Sequence, residues 1–409
     1  MLTADHKRVL ILSQWFPPEH APIGYMLKEL AEHLAGQGFH LEVVTGFPNH
    51  PTGRVQSPYV KKWRLVEKLN NITITRLWLF TSERRSLITR ALNFLSFVLR
   101  SFLYLLTCPK PDLVFAVLQP LPVGVMLLLV AKLRGFKVVF NVQDLHPDVM
   151  VDLGLIRNTA LIALLRWMER KAYARADALA VICEGFKQHV RGQGAIRPVA
   201  VIPNWIDVDE VHPDPAAGAV FLTAQGLDPA KPVVLYAGTI GHVSGAQVVI
   251  EAARQLPNIQ WLFVGEGPVL SGLRDQAHGM SHIHFLPFQP RQQLNAVQNC
   301  ATLSLVSLLP GKGTYSVPSK VLGYMAAGKP VLASVDAGSE TAHLVNSAGC
   351  GWVVPAGDAT ALADAVQALL NDPVAAQTMG QKGRVHLESR YTRSAVCTQY
   401  ENLFRQTLS

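Results

Sequence analysis

The feature that most constrains this chain is a rhythm that runs through it twice. From residue 8 onward, short runs of aliphatic and β-branched residues alternate with longer stretches of helical period. RVLILS (8–13), LEVVT (41–45), ITITRLW (72–78), DLVFAVL (112–118), KVVFNV (137–142), ALAVI (178–182) and VAVIP (199–203) read as one set of strands. PVVLYAG (232–238), IQWLFVG (259–265), IHFLP (283–287), TLSLVS (302–307), PVLAS (330–334) and CGWVVP (350–355) read as a second. Strands separated by helices in this way build parallel sheets covered by helices. Within 23–37, Met26, Leu27, Leu30, Ala31 and Leu34 recur at helical spacing, and Gly36 with Gly38 supplies the stop. The polar, proline-bearing stretch DVDEVHPDPAAGA (207–219) carries no apolar period and marks the boundary. At 409 residues and 49% hydrophobic content, the chain is too long for one core and too apolar for disorder. The expectation is an α/β protein of two Rossmann-like, doubly wound parallel-sheet domains. They span residues 1–208 and 209–385, and 386–409 form a C-terminal helix packing back on the first domain. No tandem repeat or low-complexity tract interrupts the pattern.

Charge is spread unevenly over these halves. Residues 1–207 carry 25 Lys+Arg against 15 Asp+Glu, whereas 208–409 carry 12 against 14. Between 54 and 100, ten Lys and Arg face only Glu67 and Glu83, which points to an anionic partner surface. Cys108, Cys183, Cys300, Cys350 and Cys397 form no C-x-x-C or Cys/His cluster, so neither a disulfide framework nor a zinc site is signalled. A reducing cytoplasm fits. The first twenty residues lack a small-residue cleavage site and read as a first strand rather than a signal peptide.

One segment has the length of a membrane span: SLITRALNFLSFVLRSFLYLLT (86–107). Its polar residues Arg90, Asn93, Ser96 and Arg100 recur at spacings of three, three and four, along one helical face. Two arginines in the hydrocarbon core would each cost roughly 2.5–3.5 kcal/mol, which disfavours a span. Two readings stay open. The helix packs on the sheet, or it also dips into a bilayer surface, with Arg84, Arg85, Arg90 and Arg100 toward anionic lipid or an acceptor. LPVGVMLLLVAKLRG (121–135), between two strands, reads as a buried crossover helix.

Chemistry is signalled at the strand ends. The loop after the first strand holds three prolines and Gly24 at the start of a helix, whose backbone N–H groups attract phosphate. It is not the G-x-G-x-x-G fingerprint, which counts against a nicotinamide dehydrogenase. Gly238, Gly241 and Gly245 bracket the first turn of the second half, which reads as a loop where backbone can approach a diphosphate closely or else as a plain turn. VGEGP (264–268) sets two glycines around Glu266, where a base or ribose can lie against bare backbone. Ser319 and Lys320 open a helix ended by Gly328 and Pro330. A lysine there is electrostatically misplaced unless an anion neutralises it, so Lys320 reads as a diphosphate clamp or else as a solvated surface lysine. Asp207-Val208-Asp209 spells D-x-D but sits in the linker, and His278, His282 and His284 have no companion ligands, so no metal site is read at either.

Taken together and in order, these residues resemble the retaining glycosyltransferases of family 4, with the GT-B fold. The resemblance rests on 13–53, VQDLHPDVM (142–150), ADALAVICEGFK (176–187), VIPNWID (201–207), YAGTIG (236–241), VGEGP (264–268) and VPSKVLGYMAAGKPVLAS (317–334), and covers almost the whole chain. The PPE, FPNHPTG and PSK forms look most like the branch of bacterial exopolysaccharide, colanic-acid-like and O-antigen assembly. The resemblance implies two domains facing across a cleft, with the acceptor held by the first and a nucleotide-diphosphate sugar by the second. It implies a bond made with retention of configuration and an acceptor linked to undecaprenyl diphosphate. It also implies work at the inner face of the plasma membrane by a peripheral, cytoplasmic enzyme that needs no metal or other cofactor. Donor contacts then fall on Gly24, Gly238, Thr239, Gly241, Ser244, Glu266, Ser319, Lys320 and Glu340, and catalytic roles on Gln143, Asp144 and His146. The chain departs from the pattern where Gln143 replaces a histidine, where Thr239 and Ser244 replace basic or amide residues, and where Tyr315 and Gly323 replace both glutamates of E-x7-E. Glu340 supplies a carboxylate nearby, or caps a helix together with Ser339. Two alternatives stay open: a nucleotide-sugar 2-epimerase of the same fold, and an inactive sugar-binding homologue.

Overall fold

The structure is a computed structural model that describes residues 7–312 and 319–409, apart from 20, 50, 51, 56, 61, 85 and 153. It divides into two units, Met1–Pro203 with Val396–Ser409, and Asn204–Ala395. The expected limits were 208 and 386; this division falls at 203 and 396. Ile206 already belongs to the second unit, where its N–H donates to the Tyr391 carbonyl and it pairs with Thr392. Residues 386–390 end a helix of that same unit.

The first unit runs β1 (Arg8–Leu12), α1 (Pro22–Gly36), β2 (His40–Gly46), β3 (Arg64–Leu69), β4 (Ile72–Leu77), α2 (Leu87–Thr107), β5 (Leu113–Val117), α3 (Leu121–Arg134), β6 (Lys137–Val142), α4 (Asp148–Asp152), α5 (Thr159–Arg175), β7 (Ala178–Val181), α6 (Glu184–Gly192) and β8 (Val199–Val201). Its eight strands lie in the order β3-β4-β2-β1-β5-β6-β7-β8. All neighbours are parallel except β3, which pairs antiparallel with β4 at the edge. The central strands β5 and β7 are buried along their whole length, as a sheet covered on both faces requires. Val9 sits between Leu41 and Leu113, fixing the register of the three inner strands.

Helix α2 starts at Ser86, whose hydroxyl accepts from the Thr89 N–H. The chain returns to this unit at its end, through the last helix. Tyr400 and Phe404 pack on Phe115 of β5 at 5.4 and 5.1 Å, and Asn141 Nδ2 donates to the Tyr400 hydroxyl.

The second unit runs α7 (Pro215–Ala224), β9 (Val233–Ala237), α8 (Ala246–Gln255), β10 (Gln260–Val264), α9 (Leu270–Gln276), β11 (Ile283–Leu286), α10 (Leu294–Asn299), β12 (Leu303–Ser307), α11 (Lys320–Ala326), β13 (Val331–Ser334), α12 (Glu340–Ala348), β14 (Gly351–Val354), α13 (Ala359–Asn371) and α14 (Pro373–Arg390). Helix α15 (Arg393–Leu408) then leads back to the first unit. The strand order is β11-β10-β9-β12-β13-β14, every pair parallel. One apolar cluster fills each face, around Leu235, Val306 and Met325 on one side and Tyr236, Trp261 and Leu305 on the other.

Candidate functional site

Open α/β sheets bind ligands outside the carboxyl ends of the strands, where the strand order reverses. In the second unit that point lies between β9 and β12. Their ladder stops at Leu235 and Ser304, so the two strands diverge toward their carboxyl ends. The Tyr324 hydroxyl of α11 fills the gap. It accepts from the Ala237 N–H at 3.0 Å and lies 3.1 Å from the Leu305 carbonyl oxygen.

One helical turn before Tyr324, Lys320 lies at the same end of the sheet. Its ammonium sits 3.6 Å from the centroid of the Tyr236 ring, at the end of β9. A Cβ built on Gly238 would approach its Cε to 3.3 Å, and Gly238 holds a φ of +122°. Half-buried, Lys320 is pushed down to about 7 by desolvation alone, and among the described residues no carboxylate pairs with it. Tyr236 is itself pushed up to about 12 by burial, so it meets the lysine as a neutral ring. A lysine desolvated this way, beside bare glycine backbone, has room and reason to take an anion as its partner.

The loops around it are fastened to one another. Gly238 N–H donates to Val264 O at 2.8 Å and Ile240 N–H to Glu266 O at 2.9 Å. A Cβ on Gly265 would fall 2.0 Å from the Gly238 oxygen, and one on Gly267 2.1 Å from the Ile240 oxygen. The glycines around Glu266 are therefore required by the approach of the two loops to each other, a role their spacing did not disclose. Glu266 and Thr239 are exposed, and Ser244 is buried beside Tyr236. Gly245 takes φ +58° at the start of α8, where a Cβ would meet Ser307 Oγ at 2.6 Å. Ser319 is exposed just ahead of Lys320. Glu340 opens α12 after β13, and Ser339 Oγ accepts from the Ala342 N–H, which is the capping geometry. Tyr315 lies outside the described residues, and Gly323 packs against the Gln298 side chain.

In the first unit the order reverses between β1 and β5. Gly24 belongs to this unit. Its missing side chain lets α1 approach the Phe16 backbone, which a Cβ would meet at 3.2 Å. Gln143, Asp144 and His146 follow β6, with Asp144 exposed. His146 Nε2 lies 3.2 Å from Gln119 Nε2 in the loop after β5, while its buried Nδ1 has no partner among the described residues. Burial pushes the His146 pKa down, opposed by Asp144 and Glu169. Gln119 is the residue the motifs missed, because its place depends on β5 and β6 being neighbours. Behind this loop His189 lies 3.3 Å from the buried Glu169, and Asp148 3.2 Å from Arg166.

Of the expected basic surface, Arg84 and Arg90 are exposed and Arg85 lies outside the described residues. Arg100 is half-exposed, and its guanidinium turns back onto Trp63, donating to the carbonyl at 3.1 Å with the ring centroid 5.5 Å away. In the linker, Asp207 accepts from the N–H groups of Asp209 and Glu210.

Comparison with known proteins gives two family matches in tandem. Residues 23–205 match the glycosyl transferase 4-like domain and residues 222–386 match glycosyl transferases group 1. Over 348 residues the chain is 29% identical to the putative colanic acid biosynthesis glycosyl transferase WcaI of Escherichia coli (strain K12), covering 82% of this chain and 85% of that protein. Among solved structures, sucrose-phosphate synthase from Thermosynechococcus elongatus superposes with a TM-score of 0.78 at 20% identity, over 98% of both chains. Anabaena HepE in complex with UDP-glucose gives 0.71 at 15% identity, over 98% of this chain and all of that one.

Proposed function

Because the chain belongs to the glycosyltransferases, with a 4-like first domain and a group 1 second domain on the GT-B fold, we propose that it moves a sugar from a nucleotide-diphosphate donor to a growing, lipid-linked glycan in the assembly of a bacterial surface polysaccharide. The observation that carries the donor half is Lys320, a half-buried cation with no carboxylate among the described residues, set against Tyr236 and Gly238. The fitting anion is the diphosphate of the donor. Support for the nucleotide comes from the HepE complex with UDP-glucose, and for the pathway class from the colanic acid relative.

The chemistry needs little from acid or base side chains. As the bond from the anomeric carbon to the diphosphate oxygen breaks, the acceptor hydroxyl closes on the same face. Its proton passes to a diphosphate oxygen, so the anomeric configuration is kept. Positive charge held at the leaving group stabilises the developing dianion, which is the role assigned to Lys320. Gly238, Gly241 and Ser244 line the same turn. On the acceptor side, Gln119, Gln143, Asp144 and His146 fall at the carboxyl edge of the first sheet. Burial lowers the His146 pKa against the pull of Asp144 and Glu169, which favours the neutral imidazole, suited to hydrogen-bonding a sugar hydroxyl.

Calorimetry with a panel of nucleotide sugars and their nucleoside diphosphates tests the reading. Lys320→Ala should weaken the best ligand by roughly 10- to 100-fold, the worth of a charged hydrogen bond. Unchanged affinity would remove Lys320 from the site. The anomeric configuration of the product, read by NMR, decides between retention and inversion.

A further inference from the structure

Helix α2 turns its polar face inward. Asn93 Oδ1 accepts from Gln14 Nε2 at 2.5 Å, Asn93 Nδ2 donates to Phe80 O at 2.6 Å, and Ser96 Oγ accepts from the Phe80 N–H at 2.8 Å. Arg100 is held by Trp63, and Phe97, Ser101, Tyr104 and Leu105 are buried. The opposite face carries Ile88, Leu92, Leu95, Leu99, Leu103 and Leu106, each between 37% and 73% exposed. At 100° per residue these six fall within an arc of about 80°, along a helix about 30 Å long. Neighbouring α3 also leaves Leu129 and Leu133 more than half exposed. An apolar stripe this long marks a binding surface.

Charge selects the occupant. From Arg84 to Gln143 the chain holds eight Lys and Arg and a single acid, Asp112. That acid is already engaged by the Arg8 N–H and by Lys7. Lys110 and Lys132 are exposed where α2 and α3 end together, joined by Arg134 and the Leu105 carbonyl. A second copy would set these cations against their like. A full span would strip Asn93, Ser96 and Arg100 of their partners. An anionic bilayer satisfies both the leucines and the lysines.

We propose that α2 seats the protein on an anionic bilayer as an interfacial helix, lying in the membrane plane with the Ile88–Leu106 stripe toward the acyl chains. The surface deepens the lipid-linked acceptor reading, on which it rests for its purpose alone. Its test needs no sugar.

The full chain is floated with phosphatidylcholine vesicles, with and without phosphatidylglycerol. Binding should require phosphatidylglycerol and fall with added salt. Leu95→Asp with Leu99→Asp should lower the bound fraction by at least about tenfold, with nucleotide affinity unchanged. Because the five native cysteines are buried, Leu99→Cys can carry a polarity-sensitive fluorophore selectively. Its emission should shift to the blue on anionic vesicles, which keeps the proposal testable should the double variant fold poorly. The proposal is overturned by equal flotation of the double variant, by an unshifted probe, or by a chain that ignores vesicles and forms a dimer that the aspartates dissociate. Failure of nucleotide binding, measured separately, would count against the donor reading and leave the vesicle result standing.

Discussion

Lys320 carries its charge where the fold gives it no counterion, and this has a consequence for stability that is separable from catalysis. Its folded pKa of about 7 lies below the ordinary 10.5. Below about pH 7 the lysine is charged in both folded and unfolded chains, and the full desolvation penalty weakens the fold. Between 7 and 10.5 the unfolded chain holds a proton that the folded chain has released, so stability rises with pH. Above that range the penalty is gone. Lys320→Met should therefore raise Tm near pH 6, and the gain should shrink as pH climbs toward 10. A gain that ignores pH would show that the ammonium is well solvated. The position of Lys320 at a helix start was legible in PSKVLGYM. Its burial against Tyr236 was not, because the two are brought together by the pairing of β9 with β12 and by the Tyr324–Ala237 bond, contacts distant in sequence. Gly265 and Gly267 make the same point. The sequence shows that bare backbone is needed there, and the fold shows that it is needed by Gly238 and Ile240.

At the scale of elements, α11 is placed by Tyr324. The buried hydroxyl bridges Ala237 and Leu305 where the β9–β12 ladder has stopped, and so sets the approach of Lys320 to Gly238. Tyr324→Phe preserves the shape and leaves the Ala237 N–H unpaired, at a cost of about 1–3 kcal/mol. The expected result is a Tm lower by roughly 2–10 °C for a unit of this size, together with a severalfold loss of donor affinity. A lowered Tm with unchanged affinity would reduce Tyr324 to a structural role. Helix α2 shows the limit of reading elements from spacing. The periodic Arg90, Asn93, Ser96 and Arg100 declare two faces, but which one turns inward is decided by the Phe80 backbone and Trp63. Trp63 leads into β3, which went unread because RLVEKL, a half-exposed edge strand, carries no apolar run.

At the scale of the whole molecule, the first unit is discontinuous, and its core is closed by the last fourteen residues of the chain. The doubled strand rhythm made both sheets legible and the return of the last helix to the first domain was expected, but no local signal says which strand it will cover. Phe404 is fully buried, within 5.1 Å of Phe115 on β5, while Glu401 reaches His33 on α1 at 3.2 Å. Deleting a buried phenylalanine side chain typically costs about 3–5 kcal/mol through lost transfer energy and the cavity left behind. The loss in Phe404→Ala should fall on the first unit, since among the described residues the aromatic partners of that ring lie in it. Hydrogen exchange resolved by peptide should therefore quicken in β5 and β6 while β9 and β12 keep their protection. Equal acceleration in both sheets would mean that the units unfold as one cooperative body, and no acceleration in β5 would mean that α15 contributes little to the core it covers. The discontinuity also fixes an order of events. Residues 7–203 can pair their strands as they emerge, but Phe115 stays uncovered until the second unit has been made, so a chain cut before Val396 should expose it and aggregate.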